Sequence, residues 1–246
     1  MTTLIIGASG ATGKLLVEQL INSGNNVKII IRPSSNIPNR WNNHSSITII
    51  RKNITELSVE ETTHHLTACD SVAFCLGHNM TWKGIFGHPK TLVADTVRLF
   101  CEAILSTQPD TPVKFVLMNT VGYRNTDLQE KVSFAQKIVM AIIRTLLPPH
   151  RDNEAAADFL RTKIGKKEPK IQWVVVRPDN LTNENTVSSY ETCISPTNSL
   201  FNPRKVSRIN VAHFMASLVA EKEVWEKWKG KMPVIYNQLT NPDVKP

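Results

Sequence analysis

Three glycines spaced three residues apart form the segment of this sequence with the clearest chemical potential. Gly7, Gly10 and Gly13 lie in the run GASGATG, between a short apolar run and an amphipathic stretch. Gly7 can supply the backbone geometry of a tight turn. Gly10 lets the main chain approach a pyrophosphate, and Gly13 lets a helix pack close to a sheet. The hydroxyls of Ser9 and Thr12 can add hydrogen-bond donors.

An apolar strand that enters a glycine-rich turn and continues as a helix is the context of a dinucleotide-binding site. Unpaired N–H groups and the positive end of the helix dipole would face the phosphates. We therefore predict that the turn binds a cofactor through Gly7, Ser9, Gly10, Ala11, Thr12 and Gly13. The alternative is a glycine-rich turn that serves the chain topology alone and binds no ligand.

The residue after the next apolar run predicts which dinucleotide is bound. Arg32 follows the run 27–31, at a position where an NAD-selective site usually has an acidic residue for the ribose 2′-hydroxyl. A guanidinium instead favours a 2′-phosphate through a charge-assisted hydrogen bond, and Ser34 can add a hydroxyl. We predict NADP(H) rather than NAD(H) as the cofactor. The alternative for Arg32 is a solvated loop arginine.

The elements that must position these residues follow from the wider hydrophobic pattern. Short β-branched runs of the type buried on both faces predict strands at 3–6, 27–31, 47–51, 71–75, 113–118 and 171–177. Amphipathic helical segments alternate with them, and Asp152 is expected to cap the helix that follows it. The alternation predicts an α/β fold, a doubly wound parallel sheet with helices on both faces.

Length and composition favour one soluble domain. The chain has 246 residues, of which 41% are hydrophobic and 20% charged, as is typical of soluble globular proteins. We predict a single domain over residues 1–240, with substrate loops near 180–205 and a flexible tail over 241–246. The polar stretch 36–46 is expected to be a surface loop and 180–203 an irregular insertion. Because no apolar run reaches the roughly 20 residues that span a bilayer, we expect a cytoplasmic protein that contacts no membrane.

The charged and metal-binding residue types argue against several other functions. The formal net charge is +8, but the basic residues are scattered apart from short clusters at 163–170 and 227–231. The first cluster has no interleaved aromatic residues, and the second, which contains Trp228, is more typical of a solvated surface turn, so a nucleic-acid partner is not expected. The 4 cysteines and 7 histidines show no metal-ligand spacing, so no bound metal is expected. We expect a small-molecule substrate, and a protein partner only if the chain acts as a regulator.

Two further segments extend the pattern beyond the glycine turn. They are VVVRPDNLT at 174–182 and VSRINVA at 206–212. Together with GASGATG, they resemble the short-chain dehydrogenase/reductase superfamily. Within it, the chain is similar to the atypical branch of NAD(P)H-binding, NmrA-like and flavin- or biliverdin-reductase-like proteins. The resemblance spans residues 1–220 and implies a Rossmann-type fold.

The resemblance also implies where the rest of the cofactor would lie. Asn53 and Ile54 follow the third predicted strand, near the adenine. The family often has an acidic residue first there, but Asn53 can still hydrogen-bond an adenine amine. Leu76 and Gly77 follow the fourth strand, where the chain passes over a ribose. The nicotinamide would lie beside Asn119, Thr120, Pro178 and Leu181.

The catalytic motif of many superfamily members, Tyr-x-x-x-Lys, is missing. None of the 3 tyrosines has a lysine four residues later. Thr120 matches the Ser/Thr position that the family has beside the nicotinamide. Tyr123 could line the substrate pocket or act as an acid, so we name Thr120 and Tyr123 as catalytic candidates. The alternative for Tyr123 is a core or rim tyrosine, and His150 is a weaker candidate proton donor on a loop.

The resemblance favours an NADP(H)-dependent oxidoreductase, whereas the missing motif argues against a tyrosine-dependent carbonyl reductase and supports a regulator that binds the cofactor without turnover. The oxidoreductase would act on a small conjugated acceptor such as a flavin or a quinone, because the cofactor itself carries the hydride chemistry. The second interpretation is a non-catalytic, NmrA-like sensor that binds NADP(H) and reports its redox state to a partner. A nucleotide-sugar epimerase or dehydratase is the third, and it would normally need the missing tyrosine.

Overall fold

The strands form one large sheet and one small one. The computed structural model describes residues 1–77, 87, 89–130, 133–199 and 201–238. In chain order the strands are β1 (Thr2–Ile6), β2 (Asn26–Ile31), β3 (Ile47–Arg51), β4 (Ser71–Phe74), β5 (Val113–Met118), β6 (Ile171–Pro178), β7 (Asn180–Thr182), β8 (Tyr190–Cys193), β9 (Lys205–Ser207) and β10 (Val234–Asn237). β7 and β9 form the small parallel pair, and the other eight belong to the large sheet.

The strand order of the large sheet contains a reversal that marks a binding crevice. The order is β3-β2-β1-β4-β5-β6-β10-β8. Neighbours pair in parallel except β10 and β8, which are antiparallel. From β1 the chain moves outward through β2 and β3, and it then returns to β4 on the other side. In such sheets ligands bind outside the carboxyl ends of the strands, beside this reversal.

Helices cover both faces of the large sheet. Those in the described ranges are α1 (Ala11–Asn22), α2 (Val59–Leu66), α3 (Leu92–Thr107), α4 (Phe134–Leu146), α5 (Pro148–Phe159), α6 (Arg208–Ala220) and α7 (Lys222–Trp228). α1, α6 and α7 bury apolar residues on one face, and α2, α3 and α5 do so on the other. In β1, Leu4 and Ile6 face one core while Ile5 faces the other. The predicted doubly wound, Rossmann-type α/β fold is confirmed. None of the helices in the described ranges is long and apolar enough to cross a membrane.

The six strands predicted from sequence are confirmed to within one residue at either end. Two more strands of the large sheet were not predicted. β8 lies within 180–203, which was expected to be irregular, and β10 lies beyond the last predicted element. The predicted tail at 241–246 lies outside the described residues.

The stretch 36–46 is more firmly anchored than the surface loop expected there. It contains a short 3₁₀ turn, Asn39–Trp41, and Trp41 is completely buried. The indole Nε1 donates a hydrogen bond to Glu18 Oε1 at 2.6 Å, and Arg40 binds the same carboxylate. Glu18 belongs to α1, so this stretch is fixed against the helix that the glycine turn begins.

The prediction that Asp152 caps the following helix is wrong. Asp152 lies inside α5, and its carboxylate accepts hydrogen bonds from the backbone N–H groups of Val93 and Ala94 at 2.7 and 2.8 Å. These N–H groups start α3, where a helix has no internal acceptors for them. Asp152 therefore caps a helix that is distant in sequence, and the contact joins α5 to α3.

Candidate functional site

Gly7 follows β1 in a backbone conformation that other residues rarely adopt. Its φ is +82°, in the left-handed region that glycine enters without a steric penalty. A Cβ here would lie 2.6 Å from the backbone of Cys75 and from the backbone nitrogen of Leu76. The glycine turn is thus in direct contact with the end of β4, and a side chain at Gly7 would separate the two.

Gly10 and Gly13 serve different purposes in the same turn. A Cβ on Gly13 would lie 2.2 Å from the carbonyl oxygen of Gly7, so α1 can begin this close to β1 only without a side chain there. Gly10 is exposed, has extended backbone angles, and donates its N–H to the Gly7 carbonyl at 3.0 Å. No side chain caps the start of α1 at Gly10. An uncapped helix start behind an exposed glycine fits the phosphates of a dinucleotide.

A cavity of about 370 Å³ lies at the carboxyl ends of β1, β2, β3 and β4. We call it the cofactor cavity. Half of the residues predicted to bind the cofactor line it, namely Gly7, Ser9, Gly10, Arg32, Asn53, Ile54, Leu76 and Gly77. The reversal of strand order lies at its base, between β1 and β4. The structure therefore brings together candidates that come from four separate strand ends.

The other eight predicted cofactor residues do not line this cavity, and four of them lie in α1 or in the turn after β2. Thr12 and Gly13 are buried in the first turn of α1, where they support the turn from behind. Ala11 and Ser34 are exposed, the first at the start of α1 and the second in the turn after β2. A direct contact between these residues and a cofactor stays a prediction.

Arg32 is exposed at the rim of the cofactor cavity, directly after β2. The turn that carries it is fixed by its backbone, because Ser35 donates its N–H to the Arg32 carbonyl at 2.9 Å. The guanidinium of Arg51 adds hydrogen bonds to the carbonyls of Pro33 and Ser35 at 3.2 and 3.4 Å. Arg32 therefore projects from an ordered turn, as a residue that reads a phosphate should.

Lys52 and Thr55 also line the cofactor cavity, and neither is among the cofactor residues predicted from the sequence. Both follow β3, which pairs in parallel with β2, so they lie at the same sheet edge as Arg32. The ammonium of Lys52 forms an ion pair with Glu61 in α2. Their position after a predicted strand could have identified them, since polar residues that follow neighbouring parallel strands lie at the same edge of the sheet.

A second cavity, of about 700 Å³, lies beyond the carboxyl ends of β5 and β6. Its volume is within the range of small-molecule sites. Residues that follow β5 form one wall, and α4 and α5 form another. Asp179, Ser195, Pro196, Asn198 and Ser199 complete the lining, and they come from the part of the chain predicted to carry substrate loops.

Asn119 holds Thr120 at the end of β5. The Asn119 side chain donates to the carbonyl of Asn153 at 2.7 Å and accepts the Thr120 N–H at 2.8 Å. Thr120 Oγ1 in turn accepts the N–H of Gly122 at 3.2 Å. That bond uses the oxygen as an acceptor, so the hydroxyl can still donate its proton. Thr120 directly precedes Val121 and Gly122, which line the second cavity.

The geometry argues against Tyr123 as the proton donor and supports the alternative of a core or rim tyrosine. Its side chain is buried, and its hydroxyl donates to Asp158 Oδ1 at 2.7 Å and accepts from Arg161 Nε at 3.3 Å. Burial and the Asp158 carboxylate raise the pKa of Tyr123 well above its ordinary value. Tyr123 thus lines the second cavity with its proton already committed to Asp158.

His150 lies in the first turn of α5 rather than on a loop as expected. A Cβ built on Gly122 would lie 3.2 Å from the His150 ring carbon Cε1 and 3.6 Å from Thr120 Oγ1, so ring and hydroxyl flank the same point. Burial lowers the pKa of His150, because a low-dielectric environment disfavours the charged imidazolium. We therefore expect a neutral ring beside Thr120 at physiological pH.

Pro178 and Leu181 shape the end of β6 without lining either of these cavities. The Pro178 carbonyl accepts the N–H of Val121 at 3.0 Å, which ties the segment after β5 to β6. Leu181 is half-buried and packs against the apolar core on the α1 and α6 face. Their place beside a nicotinamide stays a prediction.

Among the described residues no group of three or more His, Cys, Asp or Glu side chains could hold a metal ion. A family model described as NAD(P)H-binding matches residues 7–222, which is most of the chain. This chain belongs to the NAD(P)H-binding family. No curated protein matches the sequence significantly.

The NAD(P)H-binding family match begins at Gly7, the first glycine of the turn. Solved structures share the whole fold with this member. A short-chain dehydrogenase/reductase from Veillonella parvula in complex with NADP is 18% identical, with a TM-score of 0.65 and coverage of 100% of this chain and 98% of that one. A candidate NADH–flavin reductase from Streptococcus pneumoniae is 19% identical, with a TM-score of 0.66 and coverage of 97% and 100%.

The anaerobillin reductase ChuY from Escherichia coli O157:H7 is 14% identical, with a TM-score of 0.64 and coverage of 100% of both chains. At these identities the three structures show a shared fold. With the family match, they confirm the resemblance to the atypical branch of the short-chain dehydrogenase/reductase superfamily.

Proposed function

We propose that this protein is an NADP(H)-dependent oxidoreductase that transfers a hydride to a flat conjugated acceptor such as a flavin or a quinone. The observation that carries the proposal is the arrangement of the cavities along one sheet edge. The cofactor cavity lies at the ends of β1 to β4, and the second cavity lies at the ends of the adjoining strands β5 and β6. A dinucleotide that starts at Arg32 and crosses the glycine turn would point its nicotinamide toward Thr120.

The cofactor supplies the hydride, and the residues of this chain position the reactants. Asn119 fixes the Thr120 backbone, and the Thr120 hydroxyl, next in sequence to residues that line the second cavity, can still donate a hydrogen bond to a ligand. Gly122 leaves room there, because a side chain would meet both His150 and Thr120. Since the Tyr123 proton is committed to Asp158, we expect the proton that accompanies the hydride to come from water.

The deciding experiment is an acceptor screen with the purified protein. NADPH would be mixed with FMN, riboflavin or a water-soluble quinone, and the loss of NADPH absorbance followed with and without protein. Catalysed oxidation with at least one acceptor is expected. Tight NADPH binding without turnover on any acceptor would contradict the enzyme and favour the redox-sensing regulator, which the occupied hydroxyl of Tyr123 also fits.

Replacing Arg32 tests the choice of cofactor. We expect Arg32→Glu to weaken NADPH by about tenfold to a hundredfold, because a charged hydrogen bond contributes roughly 1.5–3 kcal/mol. The affinity for NADH should fall far less, since the introduced carboxylate can accept a hydrogen bond from the ribose 2′-hydroxyl of NADH. Isothermal titration with both cofactors measures the two changes.

The matched control for Arg32 is Arg40→Glu, because Arg40 is an exposed arginine whose partner is Glu18 and it does not line the cofactor cavity. It should leave the affinities for NADPH and NADH unchanged. Equal weakening of both cofactors by Arg32→Glu would mean that Arg32 does not contact a 2′-phosphate.

A further inference from the structure

The described residues that line the second cavity include six charged side chains, four carboxylates and two guanidiniums. Glu154 is bound by Arg144 through contacts of 2.8 and 2.9 Å, so these two charges neutralise each other. Glu130 forms a buried ion pair with Arg177 at 2.7 Å. Two pairs thus account for three of the six lining charges.

The remaining two carboxylates both accept hydrogen bonds, but only Asp158 has an ion-pair partner. Asp158 accepts from the Tyr123 hydroxyl at 2.7 Å and forms an ion pair with Arg161 at 2.8 Å. Asp179 accepts the backbone N–H of Arg204 at 2.9 Å. Every carboxylate on the cavity wall therefore has a donor.

Arg124 is the sixth charge, and it has no partner within the described part of the chain. Its Nε is buried and makes no hydrogen bond, and none of its nitrogens forms an ion pair with a described residue. A guanidinium carries five N–H donors in a planar fork, and a buried donor without an acceptor costs free energy. Among the described residues, the wall of the second cavity therefore presents to its occupant a guanidinium that has no partner.

We propose that Arg124 binds an anionic group, a phosphate or a carboxylate, on the molecule that occupies the second cavity. The inference rests on the proposed function in that the occupant is taken to be the hydride acceptor. Guanidinium groups bind both anions in a bidentate manner. Arg124 follows Thr120 by four residues, so the anionic group would lie in the same cavity as the ring that receives the hydride. Arg124 is thus a specificity residue that selects anionic acceptors.

The phosphate form of the proposal is tested with FMN and riboflavin, which carry the same ring system and differ by a phosphate. Binding to the protein saturated with NADP⁺ would be measured by quenching of flavin fluorescence, which requires no turnover. We expect FMN to bind about tenfold to a hundredfold more tightly than riboflavin, the effect of a charge-assisted hydrogen bond. Arg124→Gln should bring the two affinities together by weakening FMN alone.

The matched control is Arg98→Gln, which removes an exposed arginine of α3 whose partner is Asp95. It should preserve the preference for FMN. Arg124→Lys keeps the charge but loses the fork, so it should retain part of the preference. Because Arg124 has no described partner, Arg124→Gln should unfold at the same temperature as the unaltered protein, which separates lost binding from lost folding.

The carboxylate form is tested with biliverdin and its dimethyl ester, whose binding to the protein saturated with NADP⁺ would be followed by the change in their visible absorbance. A preference for the acid that disappears in Arg124→Gln supports the proposal with a carboxylate as the anion. The absence of an anion preference in both ligand pairs, or equal weakening of both members of a pair by Arg124→Gln, would overturn it. An anion preference without NADPH oxidation would leave the Arg124 site standing and remove the oxidoreductase.

Discussion

Arg177→Met is expected to lower the free energy of unfolding by about 3–5 kcal/mol, because it leaves a buried carboxylate without its partner. Arg177 is completely buried at the end of β6, and its guanidinium contacts both oxygens of Glu130 at 2.7 and 3.1 Å. Its remaining hydrogen bonds go to the carbonyls of Met232, Tyr123 and Ile194. Urea unfolding followed by circular dichroism measures the loss.

Two further variants show whether the loss comes from the unpaired charge. Arg98→Met removes an exposed ion pair with Asp95, and such pairs contribute up to about 1 kcal/mol. The double variant Arg177→Met with Glu130→Leu removes both buried charges, so it should be more stable than Arg177→Met alone. A change below about 1 kcal/mol in Arg177→Met would contradict the view that this pair is a main support of the region.

The buried pair also determines the shape of the second cavity. Glu130 lines that cavity, and Arg177 connects it to the segment after β5 through the Tyr123 carbonyl and to the loop after β8 through the Ile194 carbonyl. Arg124 directly follows Tyr123, so its backbone is adjacent to a carbonyl that Arg177 binds. Arg177 and Arg124 therefore lie in one region with different roles. Arg177 is completely buried and fully paired, whereas Arg124 has no partner among the described residues.

The six predicted strands were visible in the sequence because strands covered on both faces need continuous apolar runs. The candidates in the glycine turn and Arg32 followed from the predicted strand ends, whereas Asn53, Ile54, Leu76 and Gly77 followed from the family resemblance. Parallel strands bring all these ends to one edge. Gly7 and Gly13 were identifiable from their spacing in GASGATG, and the structure gives the physical reason, because their neighbours leave no space for a Cβ. Local sequence therefore predicts the elements and the strand ends that form the cofactor cavity.

The second cavity could not be predicted in the same way, because its properties depend on long-range pairing. β10 is a four-residue strand whose assignment depends on pairing with β6 and β8. Tyr123 was a reasonable acid until α5 placed Asp158 against its hydroxyl. The unpaired state of Arg124 emerges only after the other charges have found partners across separate helices. The packing of the helices determines these pairings, and short sequence motifs do not predict that packing.

Gly10→Val is expected to abolish NADPH binding while the protein stays folded. The backbone angles of Gly10, φ −74° and ψ 167°, are accessible to valine, and a Cβ would meet only the Gly7 carbonyl oxygen at 3.2 Å. The isopropyl group would then occupy the approach to the first turn of α1, where we place the pyrophosphate. Thermal unfolding without ligand should show that the variant is slightly less stable than the unaltered protein. Adding NADPH should then increase the free energy of unfolding of the variant by almost nothing.

The size of the stabilisation by NADPH shows whether the variant still binds the cofactor. At a hundredfold excess of NADPH over Kd, the unaltered protein gains about 2.7 kcal/mol, and a variant whose Kd is about a hundredfold higher gains about 0.4 kcal/mol. Gly13→Ala is the matched comparison, because its Cβ would lie 2.2 Å from the Gly7 carbonyl oxygen and should destabilise the fold before any ligand is added. An undiminished NADPH gain in Gly10→Val would move the pyrophosphate away from this turn, and the cofactor would then have to cross the sheet edge elsewhere.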